Sequence, residues 1–354
     1  MMYPRVEINL EKIKHNTKVL VDKCKDIGIE VTGVTKSFCG IKEVAEAMVE
    51  GGISIVADSR IENLKKLKDI KLPKLLLRLP MLSQTEQVVQ YADISLNSEM
   101  ETIKKLSEKA LEKGKVHKVI LMIDLGDLRE GIFKKEKILK YVNQIKNLKG
   151  VKLVGIGTNL TCYGGVIPSK ENLSKLVDIK KEIEEKLDIK LEIISGGNSS
   201  SIHLIDKGEM PKEINNLRLG ESIILGRETA YGNKIENTYD DGFRLVVEII
   251  ELKEKPSVPI GEIGMDAFGN KPTFEDKGIR KRAICAIGKQ DIDIEDIIPE
   301  DKCISILGAS SDHLILDVTE CDKNFKVGDK ISFKLTYGGV VKSLTSEYVS
   351  KIFI

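Results

Sequence analysis

The stretch "VTGVTKSFCG", residues 31–40, ends a short strand-like run on Lys36 and passes at once into turn-formers. An ammonium at a strand end must be solvated, paired or put to chemical use. A lysine lying along the surface on its aliphatic stem is the bland account, and it holds for most lysines. An amine that faces polar loops can instead attack a carbonyl and hold it as an imine. Two later stretches carry groups that such chemistry needs. "SGGNSSS", residues 195–201, and "NLRLGES", residues 216–222, join glycines, which admit close approach of backbone amides, to donor hydroxyls. Both suit a phosphate, and Arg218 within the second suits a phosphate or a ring nitrogen. "DLGDLREG", residues 124–131, sets Arg129 among acidic residues, where a local ion pair is as natural as a functional role. "TNLTCYGG", residues 158–165, puts the amide of Asn159 at another strand end. "GASSDH", residues 308–313, places Ser311, Asp312 and His313 after a glycine, and a turn-stabilising aspartate is the commoner reading there.

These groups need elements that bring them to one place. From Val6 to about residue 235, short apolar runs alternate with charged segments of helical period. "VTGVT", "ISIVADS", "KLLLRLP", "DISLNS", "KVILMIDLG", "KLVGIGTNL", "LEIISGGNS" and "NLRLGESIILG" are eight strand-like runs. Eight strand–helix units of about 25–30 residues predict a closed parallel (β/α)8 barrel. An open doubly wound sheet would not need eight, and no GxGxxG follows the first strand. After roughly Tyr231, segments such as "FRLVVEIIELKEK" and "CISILGASSDHLILDV" are β-rich and lack long amphipathic helices. The expected organisation is an α/β barrel over residues 1–235 and a mostly-β domain over 236–354.

Functional groups of a βα barrel sit where strands end and loops begin. Those positions hold Lys36, Asp58, Ser59, Arg60, Asn97, Ser98, Arg129, Asn159, Asn198, Ser199, Ser200 and Arg218. Cations and amides dominate and carboxylates are almost missing, which suits an anionic ligand and not a paired-carboxylate hydrolase. Elsewhere the composition is even. Basic residues number 56 against 55 acidic, a net charge of +1 with no basic stripe, so nucleic acid and anionic membranes are not expected partners. No run approaches membrane-spanning length, and "MMYPRVEINLEKIKHN" lacks the apolar core of a signal peptide. Cys24, Cys39, Cys162, Cys285, Cys303 and Cys321 show no CxxC spacing, and the four histidines show no metal spacing. Buried unpaired thiols for most of the cysteines, no metal site and a cytoplasmic location are therefore expected.

The order of these motifs resembles the pyridoxal-phosphate-dependent alanine racemase family of fold type III, and within it the ornithine racemase branch. "PRVEINLEKIKHN" is similar to the family's opening strand and helix, and "GVTKSFCG" stands where the family has its cofactor-binding lysine. "SLNSE", "DLGDLREGI", "GIGTNLTCYGG", "SGGNSSS" and "LRLGESIILGRE" follow in family order, and "PSVPIGEIGMDAFG", "AIGKQDID" and "GASSDHLILD" resemble the ornithine branch. The resemblance implies a racemase that interconverts L- and D-ornithine, or other basic amino acids, by moving the α-proton of a cofactor-bound substrate. It implies a homodimer in which each active site is shared. Lys36 would carry pyridoxal phosphate as an imine, and Arg218 would bond the pyridine nitrogen. Arg129 would sit near the phenolic oxygen and the substrate carboxylate. Asn198, Ser199, the amides around Gly220 and Glu221, and Tyr348 would hold the cofactor, with the phosphate as their main partner.

Departures accompany the resemblance. Asn159 stands where alanine racemases stack a histidine on the ring, and only Phe38 and Cys39 stand where they have a tyrosine after the lysine. The family's catalytic tyrosine, contributed by the partner subunit, has no match in "GEIGMDAFG"; Asp266 is the nearest titratable group there. Ser311 and Asp312 take the place of the family's entrance pair and would meet the substrate. Rival readings are an alanine racemase, a fold type III decarboxylase of basic amino acids, a non-catalytic pyridoxal-phosphate-binding barrel and a phosphate-sugar barrel.

Overall fold

The computed structural model describes residues 2–354. After β1 (Arg5–Ile8) come eight strands that close a parallel barrel. They are β2 (Glu30–Val34), β3 (Ile55–Asp58), β4 (Lys74–Leu76), β5 (Ile94–Asn97), β6 (His117–Met122), β7 (Val151–Gly157), β8 (Ile193–Ser195) and β9 (Asn216–Leu219). Each pairs with its neighbour in sequence, and β2 meets β9 from Glu30↔Asn216 to Gly33↔Leu219, so no edge is left open. The eight strand-like runs of the sequence are these eight strands.

Helices return the chain between strands, and their sequences say why. Met100–Glu112 buries Met100, Ile103, Leu106 and Ala110, an i, i+3, i+4 stripe against the barrel. Lys170–Leu187 starts at a capping box in which the Ser169 side chain accepts from Asn172 N and the Asn172 side chain accepts from Ser169 N.

Side chains of one parity from six strands form a single apolar cluster: Val34, Ile55, Ala57, Leu75, Ile94, Leu96, Ile120, Met122 and Val154. Strands on different sides of a closed barrel can share a cluster only through its interior. Thr32 lies on the same face of β2 as Val34, yet it accepts a hydrogen bond from Asn216 of β9. The barrel interior is thus apolar across β2–β7 and polar at the β8–β9–β2 seam.

The remaining strands are β10 (Phe243–Pro256), β11 (Ile279–Cys285), β12 (Ile297–Pro299), β13 (Ser305–Ala309), β14 (Leu314–Asp317), β15 (Lys330–Leu335) and β16 (Ser350–Phe353). They make a sheet of order β12-β15-β10-β11-β14-β13 in which β10, bulged between Ile249 and Glu251, pairs β15 before the bulge and β11 mainly after it. β1 joins this sheet, antiparallel to β10 and parallel to β16. By its contacts the chain divides into Leu10–Asp240 and a second unit of Asp241–Ile354 with the residues up to Asn9. Relative to the expected barrel of residues 1–235, the observed unit lacks the first strand, because both edges of β1 are taken by β10 and β16.

One cysteine expectation is corrected. Cys303 and Cys321 form a disulfide. The β13–β14 hairpin brings the two segments together, with Ser305 paired to Asp317, and a turn after β14, in which Cys321 N donates to Val318 O, carries Cys321 to Cys303. Cys24 and Cys285 are buried free thiols, pushed up to about 12 by burial, as the reading of small hydrophobes requires. Among the described residues no helix is long and apolar enough to cross a membrane.

Candidate active site at the barrel mouth

Lys36 begins a short 3-10 turn, Lys36–Phe38, directly after β2. Cys39 closes the turn in the left-handed region (φ 55) and donates its N–H to Lys36 O. The base of the turn is fixed to β3. Thr35 donates its N–H to Ala57 O (2.8 Å) and its hydroxyl to Asp58 Oδ2 (2.6 Å). The other carboxylate oxygen of Asp58 accepts from Arg60 N (2.8 Å) and Asn63 Nδ2 (3.1 Å). Asp58 is fully buried, and burial raises its carboxyl above the usual range against those hydrogen bonds. The backbone that carries Lys36 is therefore locked while its side chain is exposed. The charge of Lys36 acts on Glu221, whose carboxyl is raised by burial and partly lowered by Arg227, 3.4 Å away.

Arg218 lies on the polar side of the interior, 4% exposed. Its Nη1 donates to Ser195 Oγ (2.5 Å) and its Nη2 to Thr158 O (2.7 Å), with Asn159 Oδ1 at 3.5 Å. Ser195 Oγ donates to Asn216 Oδ1 (2.7 Å), and Asn216 Nδ2 donates to Thr32 Oγ1 (2.9 Å). This chain of bonds runs from β7 to β2. Burial pulls the Arg218 guanidinium down to about 10, with Glu130 opposing, which leaves it cationic at neutral pH.

The two Gly/Ser loops are tied to each other. Ser199 Oγ donates to Ser222 Oγ (3.0 Å) and accepts from Ser222 N (3.1 Å). Gly197 takes a positive φ of 114°, and a Cβ there would lie 2.8 Å from Ser201 Oγ, so only glycine turns the chain at this point. Asn198 Oδ1 accepts from Ser200 N (2.8 Å), while its Nδ2 reaches Asn159 Oδ1 (3.1 Å), Leu160 O (3.0 Å) and Cys162 Sγ (3.4 Å). Gly220, against Val34, leads into the short helix Glu221–Leu225.

Arg129 sits on a loop that leaves β6 and returns to it. Asp124 Oδ1 accepts from Gly126 N (2.8 Å) and Leu128 N (3.2 Å). Asp127, buried, accepts from Tyr163 N (3.0 Å) and Val166 N (3.1 Å) of the loop after β7. Gly131 (φ 121°) reverses the chain where a Cβ would lie 2.6 Å from Asp124 N. Arg129 pairs through Nε and Nη2 with both carboxylate oxygens of Glu130, and this bond raises the guanidinium above its ordinary value.

Lys36, Arg129, Asn159, Asn198, Ser199, Arg218, Gly220 and Glu221 thus lie on the barrel strands or in the segments that follow their C-terminal ends, and several touch. The local ion pair that the sequence allows at Arg129 is made with Glu130, whereas the Asp58–Thr35 clamp and the hydrogen-bond chain through Ser195 were missed. The signals of these two, polar residues in and beside barrel strands, are visible only once strand parity is known. Asp266, Ser311, Asp312 and Tyr348 belong to the other unit and are exposed. Asp266 Oδ1 accepts from Phe268 N (2.9 Å) and Asn270 N (2.8 Å), which holds its carboxyl low. Asp312 accepts from His313 Nδ1 (2.8 Å) and Ser310 Oγ (3.2 Å), and His313 lowers it. A cavity of about 660 Å³ lies at the opposite, N-terminal ends of β4–β6, lined by Lys71, Lys74, Asp93, Lys115 and His117, and takes no part in the mouth.

The profile of the family described as alanine racemase, N-terminal domain, matches residues 8–228. An ornithine racemase of Acetoanaerobium sticklandii is 53% identical over 350 residues, covering 99% of each chain. A lysine racemase of Thermotoga maritima is 44% identical over 355 residues, covering 100% of this chain and 99% of its own. Among solved structures, an alanine racemase from Bartonella henselae with covalently bound pyridoxal phosphate superimposes with a TM-score of 0.75 at 18% identity, over all of both chains. One from Streptomyces lavendulae gives 0.76 at 14% identity, over 100% of this chain and 98% of that one. Barrel, sheet and sequence agree: the chain belongs to the alanine racemase family.

Proposed function

We propose that this protein is a pyridoxal-phosphate-dependent racemase of ornithine, an isomerase. The observation that carries the reading is the meeting of Lys36, the buried Arg218 and the linked Ser199–Ser222 loops at one barrel mouth. Its nearly full-length similarity to an ornithine racemase supports the substrate class.

The residues at the mouth fit such a cofactor. Among the described residues, five buried side-chain polar atoms lack a partner, and four stand at barrel strand ends: Asn97 Oδ1, Thr158 Oγ1, Asn159 Nδ2 and Ser200 Oγ. Orphaned polar atoms are costly when buried, and their gathering beside Arg218 and Lys36 fits a polar, phosphate-bearing ring. Lys36 would hold the cofactor carbonyl, Arg218 the ring nitrogen, and Asn159 would lie beside the ring. Asn198, Ser199 and the Gly220–Glu221 amides would take the phosphate, with Tyr348 completing the site. The bound cofactor supplies an electron sink that acidifies the substrate's α-C–H. Once the substrate's amine has displaced it from the cofactor carbonyl, Lys36 Nζ, free again as an amine, would remove or return that proton on one face. Arg218, cationic and anchored through its Nη groups to Ser195 and Thr158, would discourage protonation of the ring nitrogen.

The other acid/base is assigned to Asp266, and substrate contacts to Arg129, for the carboxylate, and to Ser311 and Asp312, for the distal ammonium. A homodimer in which the β-rich unit of one protomer serves the mouth of the other supplies these groups. The even surface charge supports a protein that works free of nucleic acid and membranes, in the cytoplasm.

Incubation with L-ornithine in D2O tests the reading. D-ornithine should accumulate with deuterium at Cα, faster than the same exchange in lysine or alanine, and Lys36→Ala should abolish it. Borohydride reduction followed by peptide mapping should tag Lys36. Exchange in alanine alone would overturn the substrate class, and a tag on another lysine would overturn the cofactor assignment.

A further inference from the structure

The pairing of Arg129 with Glu130 is built with more care than a chance surface contact. Adjacent residues in an open loop usually point apart and remain solvated. Here the loop is pinned at three places: at Asp124 by its own amides, at Asp127 by the amides of Tyr163 and Val166, and at its base by Ile132 N to Met122 O (2.9 Å). Gly131 then turns the chain in a conformation that other residues do not take. The Glu130 side chain is only 13% exposed, less than the 40% of the arginine it holds. A carboxylate is buried at a cost, and surface pairs rarely return it.

The edge that Glu130 uses is informative. It takes Nε and one Nη2 hydrogen, the side of the guanidinium fork. That leaves the end-on edge, Nη1 with the other Nη2 hydrogen, for a second planar anion. Arg218 also feels Glu130, which offsets the repulsion from Arg129 on that buried guanidinium. One carboxylate thus stands among two arginines in a mouth otherwise rich in cations.

We infer that Glu130 is a positioning residue: it clamps the side edge of Arg129 so that the end-on edge is presented, already oriented, to the carboxylate of the amino-acid substrate. The inference rests on the racemase reading above. An arginine fixed in this way loses less side-chain freedom when it binds its anion. Because the carboxylate is held in ground and transition state alike, the clamp acts mainly on KM.

The test uses the holoenzyme and two probes that together resemble ornithine. 5-Aminovalerate keeps the carboxylate and the distal ammonium but lacks the α-amine. 1,4-Diaminobutane keeps both amines but lacks the carboxylate. Their affinities are measured by calorimetry for wild type, Glu130→Gln and Glu130→Asp. The expected result for Glu130→Gln is about tenfold weaker binding of 5-aminovalerate, an unchanged affinity for 1,4-diaminobutane, and a KM for ornithine raised about tenfold with kcat moved less than about threefold. Glu130→Asp, which keeps the charge, should fall between wild type and Glu130→Gln, and it serves if the amide variant does not fold. Equal weakening of both probes, or of neither, would overturn the inference while leaving the racemase reading intact. Wild-type protein that binds neither probe would overturn both.

Discussion

His117 shows how one residue can set the pH range of the fold. It is 3% exposed at the start of β6, with Ser95 Oγ 2.8 Å from Nε2 and a further bond to the Ala92 backbone. Burial pulls its imidazole down from 6.5 to about 4, so the folded protein keeps it neutral where an unfolded chain would protonate it. Between these values the unfolded state binds more protons, and stability must fall as pH falls. The loss approaches about 3 kcal/mol by pH 4. Urea unfolding at pH 7, 5.5 and 4.5 should show this slope, and His117→Gln should flatten it; parallel slopes would mean that other groups dominate. In the sequence His117 was one of four histidines without metal spacing. The places of Lys36 and Arg218 at the C-terminal side of the barrel were legible because each lies in or just after a short apolar run that turn-forming residues follow. The Arg129–Glu130 ion pair was legible as a local pair, but its clamping was not, since only a pinned loop fixes that adjacency in one geometry.

Whole elements were read more readily than single contacts. The eight barrel strands were legible because each is a short apolar run between amphipathic helices, a pattern that survives without knowledge of pairing. Pairing itself was hidden. β1 looks like any opening strand, yet its partners lie more than two hundred residues on, in β10 and β16. Close strand contacts are equally silent in sequence. Gly155 of β7 faces Ile193 of β8, where an added Cβ would lie 2.1 Å from Ile193 O and 2.9 Å from Ile193 C, backbone atoms of the paired strand that have no flexible end to yield. Gly155→Ala should therefore force the two strands apart and cost roughly 3 kcal/mol, read as a lowered Tm. Gly114→Ala is the control: it has open space around it, although its φ is 63°, and should cost only about 1 kcal/mol. Equal shifts would show that the seam between β7 and β8 is softer than its geometry implies.

At the scale of the molecule, the proposed shared site predicts complementation. A Lys36→Ala subunit and an Asp266→Asn subunit should each be inactive as homodimers. Mixed heterodimers should regain activity, because one of their two sites has both groups intact. Heterodimers that form and stay inactive would place Asp266 outside the chemistry. The Cys303–Cys321 bond was invisible to a search for short cysteine motifs, since its spacing is set by a hairpin and not by a loop. The placement of β1 reaches into how the protein is made. Arg5–Ile8 leaves the ribosome well before its two neighbours, Phe243–Val246 and Ser350–Phe353, which lie more than two hundred residues further along the chain. During synthesis this strand must wait, unpaired, while the whole barrel between them is completed. Its alternating Arg5 and Glu7 are suited to that interval, because a charged edge resists joining the wrong sheet. The barrel is in this sense a guest within the sheet's own chain, finished before its host can close.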